Sequence, residues 1–146
     1  MEFLKISYDK FHQDTINLVN NVMSANPDIK YVWGPARGGY LPAIIASHFF
    51  NLQYKDLGRE QVQDGGKDFL IIDDVNDTGK TFKDLKVMFP NAVFASLYKK
   101  GRTEFCDAYY AEEYNNTWLV FPFEDEEKAK ADYEGYCGRR DEGNAG

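Results

Sequence analysis

Residues 69–72, Phe-Leu-Ile-Ile, form a short continuous apolar run that ends abruptly on Asp73 and Asp74. A run of this kind, with two β-branched residues and no polar alternation, is the pattern of a strand covered on both faces. Such strands belong to parallel sheets flanked by helices, so the run constrains everything around it. The neighbouring segments agree. IKYVWG (29–34) reads as a strand, ARGG (36–39) as a glycine-containing turn and LPAIIASHFF (41–50) as a helix. LQYKDL (52–57) reads as a second strand ahead of the polar stretch REQVQDGGKD (59–68). After Asp74 and a short turn at Gly79, a helix carries Phe82, Leu85, Val87, Met88 and Phe89 and stops at Pro90. AVFASLY (92–98) is a further strand, and DAYYAEEY (107–114) and TWLVFPF (117–123) are extended pieces.

The two ends add helices. Ser7 can cap a helix with Asp9 in its first turn and with Phe11, Leu18, Val19, Val22 and Met23 as an apolar stripe, ended by Asn26-Pro27-Asp28. DEEKAKADYEGY (125–136) reads as a C-terminal helix with Asp125 near its start, and residues 138–146 as a frayed tail. Strands alternating with helices imply an α/β fold with a parallel sheet, whose ligands bind beyond the carboxyl ends of the strands. The turns at 36–39 and 73–81 both fall there.

The chain of 146 residues fits one domain, since domains usually run to roughly 100–200 residues. Its composition, 43% hydrophobic and 28% charged, supports a packed core and excludes disorder, collagen and a disulfide scaffold. Cys106 and Cys137 form no CxxC pair, so neither zinc ligation nor a redox dithiol is suggested. No apolar run approaches the roughly 18–20 residues of a membrane span, and MEFLKISYDKF lacks the apolar stretch of a secretory signal. A cytoplasmic protein without membrane partners is expected. The net charge of −7 would repel a nucleic-acid backbone, and no local basic patch offsets it.

The segment Asp73-Asp74-Val75-Asn76-Asp77-Thr78-Gly79-Lys80-Thr81 concentrates three carboxylates, two threonine hydroxyls and a glycine where a buried strand meets a helix. Backbone N–H groups at such a helix start can converge on an anion. A Walker A loop would require glycine at position 74, where this chain has Asp74. A calcium-binding EF-hand loop starting at Asp74 would need glutamate at position 85, occupied by Leu85. Neither motif fits. The segment resembles the phosphoribosyl diphosphate (PRPP) motif of type I phosphoribosyltransferases, and GPARGGYLPAIIA (34–46) resembles their pyrophosphate-binding loop.

This resemblance covers nearly the whole chain and implies a parallel-sheet fold flanked by helices, with a small hood from the C-terminal and N-terminal segments, about 116–136. Within the family, an acid at the position of Asp77 resembles the 6-oxopurine branch, typified by xanthine-guanine and hypoxanthine phosphoribosyltransferases. A carboxylate there can hold the ring proton that a 6-oxopurine loses or shifts, so the implied catalytic residue is Asp77. The resemblance further implies that Asp73 and Asp74 hold the ribose hydroxyls, and that Asp77, Thr78, Gly79, Lys80 and Thr81 bind the 5′-phosphate. Ala36, Arg37 and Gly38 would meet the pyrophosphate. Lys99, in LYKK, would donate to the exocyclic oxygen of the purine, while NTWLVFPFE offers Trp118 and Leu119 to its ring. Mg²⁺ is the implied cofactor, with Asp73, Asp74 and Glu124 as its ligands. PRPP and a purine base are the implied substrates, in purine salvage, and a homodimer or homotetramer the implied assembly.

The chain departs from the family where larger members carry a mobile loop over the reacting centre: only GREQVQDGGKD (58–68) stands there, with Arg59 and Lys67 as candidates to reach the diphosphate. Position 36 is Ala36, so a side-chain contact made by a hydroxyl at that place is lost. A non-catalytic PRPP or nucleotide sensor on the same fold therefore stays open, as does an enzyme for another nucleobase.

Overall fold

The computed structural model describes residues 2–59, 64–101, 103, 105 and 107–145, with side chains through residue 135. Its elements in chain order are β1 (Glu2–Lys5), α1 (Tyr8–Ala25), β2 (Tyr31–Trp33), α2 (Tyr40–Phe50), β3 (Gln53–Tyr54), β4 (Phe69–Asn76), α3 (Lys80–Met88), β5 (Val93–Lys100), β6 (Tyr109–Tyr114), β7 (Thr117–Val120) and α4 (Glu126–Ala145). Five strands form one sheet in the order β3-β2-β4-β5-β6, and every neighbouring pair is parallel. The α/β class expected from the apolar run is the one observed.

Two compact units divide the chain, a smaller one of residues 1–11 and 116–146 and a larger one of residues 12–115. The larger holds the five-stranded sheet. Its central strand, β4, is buried from Phe69 through Ile72, as a strand covered on both faces must be. Phe69 and Ile71 pack with Phe82 of α3, Phe94 of β5, Phe105, Phe89, Leu57 and Ala92. Phe82, Phe94 and Phe105 meet edge to face with centroids 5.2–5.7 Å apart, a geometry in which the positive ring edge faces the negative ring face.

In the smaller unit, β1 and β7 form a two-stranded parallel ladder with Phe3 opposite Trp118 and Leu4 opposite Leu119. Phe11 contacts Phe121 and Phe123 edge to face. The cap expected at Ser7 is present, Ser7 Oγ accepting the Lys10 N–H at 3.1 Å, and Asp125, expected near the start of the C-terminal helix, caps it by accepting the Lys128 N–H on Oδ1 at 3.1 Å.

Four expectations differ from what is observed. Strand β3 is only two residues long, because after Lys55, whose N–H still donates to the Val32 carbonyl at 3.2 Å, the backbone enters a turn in which Asp56 Oδ1 takes the Gly58 N–H. Val87 and Met88, read as apolar positions carried by this helix, are 83% and 63% exposed; the helix buries Phe82 and leaves these two outside the aromatic cluster. Helical backbone continues to Ala145 through the span expected as a frayed tail. Strand β1 was not foreseen, since EFLK is short and its partner lies at the far end of the chain. Among the described residues no helix is long and apolar enough to cross a membrane.

Candidate functional site

The strand order fixes where a site can form. From β2 the chain moves through α2 to β3 on one side, and from β4 it moves through α3 to β5 on the other. The connections therefore diverge at the β2–β4 pair, and the loops leaving the carboxyl ends of those two strands face a common crevice. Those loops are residues 34–39 and 77–79.

Asp73 and Asp74 sit at the end of β4, where the ladder pairs Asp73 with Ser96 and Val75 with Tyr98. Between these pairings the Asp74 N–H donates to Asp73 Oδ1 at 2.9 Å and the Val75 N–H to Asp74 Oδ1 at 2.7 Å. The carboxylates thus take over backbone donors at the end of the strand. Burial, followed by the charge of Asp74 beside it, pushes the Asp73 carboxyl well above its ordinary range. Burial also raises Asp74, against hydrogen bonds from the Asp73 side chain and the Val75 N–H that pull it down. Two buried acids side by side hold a proton more tightly than either would in water, until a cation or hydroxyl donors replace it.

The loop after β2 lies directly against this pair. A Cβ added to Gly38 would run into the Asp74 carboxylate, so a larger residue would require the loop or the Asp74 side chain to shift. The Gly39 N–H donates to the Pro35 carbonyl at 2.9 Å and the Tyr40 N–H to the Arg37 carbonyl at 3.1 Å, and the Ala36–Arg37 peptide is cis. Ala36 and Arg37 are exposed.

After β4, Thr78 Oγ1 accepts the Lys80 N–H at 3.3 Å, and Gly79 takes φ 92° ahead of α3. The Cα of Gly79 backs onto Thr103 and Phe105: an added Cβ would lie 2.9 Å from Thr103 Oγ1 and 3.0 Å from the Phe105 nitrogen. No acid occupies the first turn of α3. Asp77 is half-buried, whereas Thr78, Lys80 and Thr81 are exposed.

Lys99 lies in the last turn of the ladder, paired with Asn76 across β4 and β5. Its Nζ stands 5.5 Å from the centroid of the Tyr110 ring. The larger unit therefore brings together Asp73, Asp74, Asp77, Thr78, Gly79, Lys80, Thr81, the loop of Ala36, Arg37 and Gly38, and Lys99 at the carboxyl ends of β2, β4 and β5.

Trp118, Leu119 and Glu124 belong to the smaller unit. Trp118 is half-buried with its ring 5.3 Å from that of Tyr133, and Leu119 is buried. Glu124 Oε1 accepts the Phe121 N–H at 2.9 Å while the Glu124 N–H donates to the Phe121 carbonyl at 3.0 Å, a turn that employs the carboxylate locally. Among the described residues no three His, Cys, Asp or Glu side chains cluster to hold a metal. A pair is nonetheless a sufficient protein contribution for Mg²⁺, which commonly takes one or two carboxylates and completes its shell with water and substrate phosphates. Asp73 and Asp74 meet that requirement. Of the polar stretch 58–68, residues 60–63 lie outside the described residues; Arg59 is exposed beside Asp56 at 3.8 Å, and Lys67 is exposed.

Sequence reasoning missed Tyr110, whose phenol joins Asn76 to the Phe105 carbonyl. In DAYYAEEY nothing separates it from an ordinary strand tyrosine, because the contact depends on which residue of β4 comes level with it.

No protein-family model matches the chain. Among solved structures it is similar to a purine phosphoribosyltransferase from Pyrococcus horikoshii Ot3, with a TM-score of 0.72 and 26% identity over 86% of this chain and 95% of that one. It is similar also to the Helicobacter pylori xanthine-guanine-hypoxanthine phosphoribosyltransferase, with a TM-score of 0.72 and 20% identity over 90% of this chain and 99% of that one. A hypothetical protein from Neisseria gonorrhoeae with bound ppGpp matches with a TM-score of 0.69 and 15% identity, over 94% of this chain and 97% of that one. The parallel sheet flanked by helices is the type I phosphoribosyltransferase fold, shared here with 6-oxopurine enzymes.

Proposed function

We propose that the protein transfers the 5-phosphoribosyl group of PRPP to a 6-oxopurine, hypoxanthine, guanine or xanthine, yielding the nucleoside 5′-monophosphate and pyrophosphate. The observation that carries this reading is the contact between Gly38 and the Asp74 carboxylate. It sets a backbone loop suited to a diphosphate against an acid pair suited to ribose hydroxyls, on the strand that leads into the N-terminus of α3. A 5-phosphorylated ribose bearing a diphosphate at C1 presents those three groups together.

In this mechanism the N–H groups of Thr78, Gly79, Lys80 and Thr81 receive the 5′-phosphate, and Asp73 and Asp74 accept hydrogen bonds from the 2- and 3-hydroxyls. Arg37, with the backbone of Ala36 and Gly38, neutralises charge as it grows on the departing diphosphate. Asp73 and Asp74 would hold Mg²⁺, which when bound would supply further positive charge near the leaving group. The C1–oxygen bond breaks with its electron pair on pyrophosphate, a purine nitrogen bonds to C1 with inversion, and Asp77 takes the ring proton. Lys99 donates to the exocyclic oxygen, and the resemblance assigns the ring contacts to Trp118 and Leu119. Fixing both reactants removes much of the entropic barrier. The resemblance supports purine salvage in the cytoplasm by a homodimer or homotetramer, with no nucleic-acid partner.

Pyrophosphate release with PRPP and Mg²⁺, compared across hypoxanthine, guanine, xanthine, adenine, orotate and uracil, tests the reading. Release confined to the 6-oxopurines is expected. A second reading, a nucleotide sensor without turnover, is supported by the short 58–68 segment and by the ppGpp held by the Neisseria protein. It predicts no release with any base alongside saturable binding of PRPP or a purine nucleotide.

A further inference from the structure

We infer that Tyr110 is a positioning residue for Lys99, its ring fixing the ammonium that reads the exocyclic oxygen of the base; the inference rests on the function proposed above. Lysine is a flexible side chain, and an ammonium that must meet one substrate atom needs something to limit its travel. The face of a tyrosine ring does so by attracting the cation without consuming its N–H donors as a carboxylate would. Lys99 Nζ stands 5.5 Å from the Tyr110 centroid.

The ring is itself held in place. Tyr110 Oη donates to the Phe105 carbonyl at 2.8 Å and accepts from Asn76 Nδ2 at 2.7 Å. Because the phenol proton is committed to a carbonyl, the Asn76 group facing the phenol oxygen has to be the amide NH₂, which fixes the orientation of that side chain as well. Asn76 is buried, lies between Asp74 and Asp77, and pairs with Lys99 in the ladder. Phe105 belongs to the wall behind Gly79. One phenol therefore ties the acid-rich turn, the backing of the glycine and the lysine to each other. An aspartate at position 76 would have no proton to offer at neutral pH, which gives the amide in this acidic stretch a reason.

The test is a set of variants, Tyr110→Phe, Tyr110→Leu, Lys99→Met and Lys99→Met with Tyr110→Leu, assayed for KM of base and of PRPP separately. Tyr110→Leu is expected to raise the base KM by about 3- to 10-fold, the range of an exposed to partly buried cation–π contact, while the PRPP KM stays within about 2-fold. Tyr110→Phe keeps the ring and should lose less. The double variant should be no worse than Lys99→Met alone, because the tyrosine acts through the lysine. Additive losses, or equal losses for both substrates, would overturn the inference.

A second readout does not depend on turnover. The proton resonances of the Lys99 ε-methylene, assigned by their loss in Lys99→Met, should lie upfield of other lysines, stay there in Tyr110→Phe and move to the ordinary position in Tyr110→Leu. Ordinary resonances in the unmutated protein would refute the positioning even if the enzyme is active. A ring-shifted lysine in a protein that releases no pyrophosphate would instead retain the positioning and reject the proposed reaction.

Discussion

Asp77 and Asp73 are both acids at the carboxyl end of β4, yet they make opposite predictions. The proposed proton-accepting role of Asp77 means that Asp77→Asn should lower kcat by about 10²- to 10⁴-fold, while PRPP affinity, measured by titration, changes by no more than about 2-fold. Equal loss of both would contradict the role. Asp73 is instead a residue that the fold tolerates at a cost. Burial and Asp74 raise its carboxyl in the folded state, so below the ordinary aspartate range it is protonated in folded and unfolded chains alike and costs nothing. As pH rises, the unfolded chain gives up the proton first, and stability falls until the folded carboxyl has also titrated. Asp73→Asn removes that penalty, and its amide can still accept the Asp74 N–H. The variant should therefore melt higher than the parent at pH 8, by roughly 2–4 °C for each kcal/mol recovered, and the gap should close as pH approaches about 4. It should lose the stabilisation that Mg²⁺ and PRPP together give the parent. A parent that is the more stable of the two at pH 8 would show that the acid pair is satisfied internally.

At the scale of elements, the proposed site is made by two turns in which glycine keeps the backbone close to its neighbours. Gly38→Ala would drive a methyl into the Asp74 carboxylate and force either the 34–39 loop or the end of β4 to move. Overpacking of this kind costs about 1–3 kcal/mol, and its functional signature should be a raised KM for PRPP with the base KM unchanged. Gly79→Ala differs in mechanism: its φ of 92° is strained for any side chain, and Thr103 and Phe105 occupy the space. A loss of about 1–3 kcal/mol in denaturant unfolding is expected from it, together with weaker binding of ribose 5-phosphate. Wild-type phosphate affinity in Gly79→Ala would argue against α3 as the phosphate end of the site.

On the scale of the whole molecule, stability should be graded from the middle of the large sheet outward. Amides of Ile71, Ile72, Phe94 and Ala95 lie in ladders among fully buried neighbours and should exchange with solvent only through global unfolding, whereas those of β1, exposed along its length, should exchange faster. Hydrogen exchange read residue by residue checks this ordering, and equal protection of β1 and β4 would contradict it. The same gradient separates what was legible in the sequence from what was not. FLII followed by two aspartates, a glycine turn and an amphipathic helix specified the central strand, the class of sheet and the glycine turn that leads into α3, because each rests on periodicity and backbone chemistry within a few residues. The cap at Ser7 was legible for the same reason. The pairing of β1 with β7, the exposure of Val87 and Met88, the seat of Gly38 on Asp74 and the phenol of Tyr110 beneath Lys99 were decided only in the folded chain. Each depends on register between segments distant in sequence, and that register is set by the packing of side chains that composition and spacing do not locate.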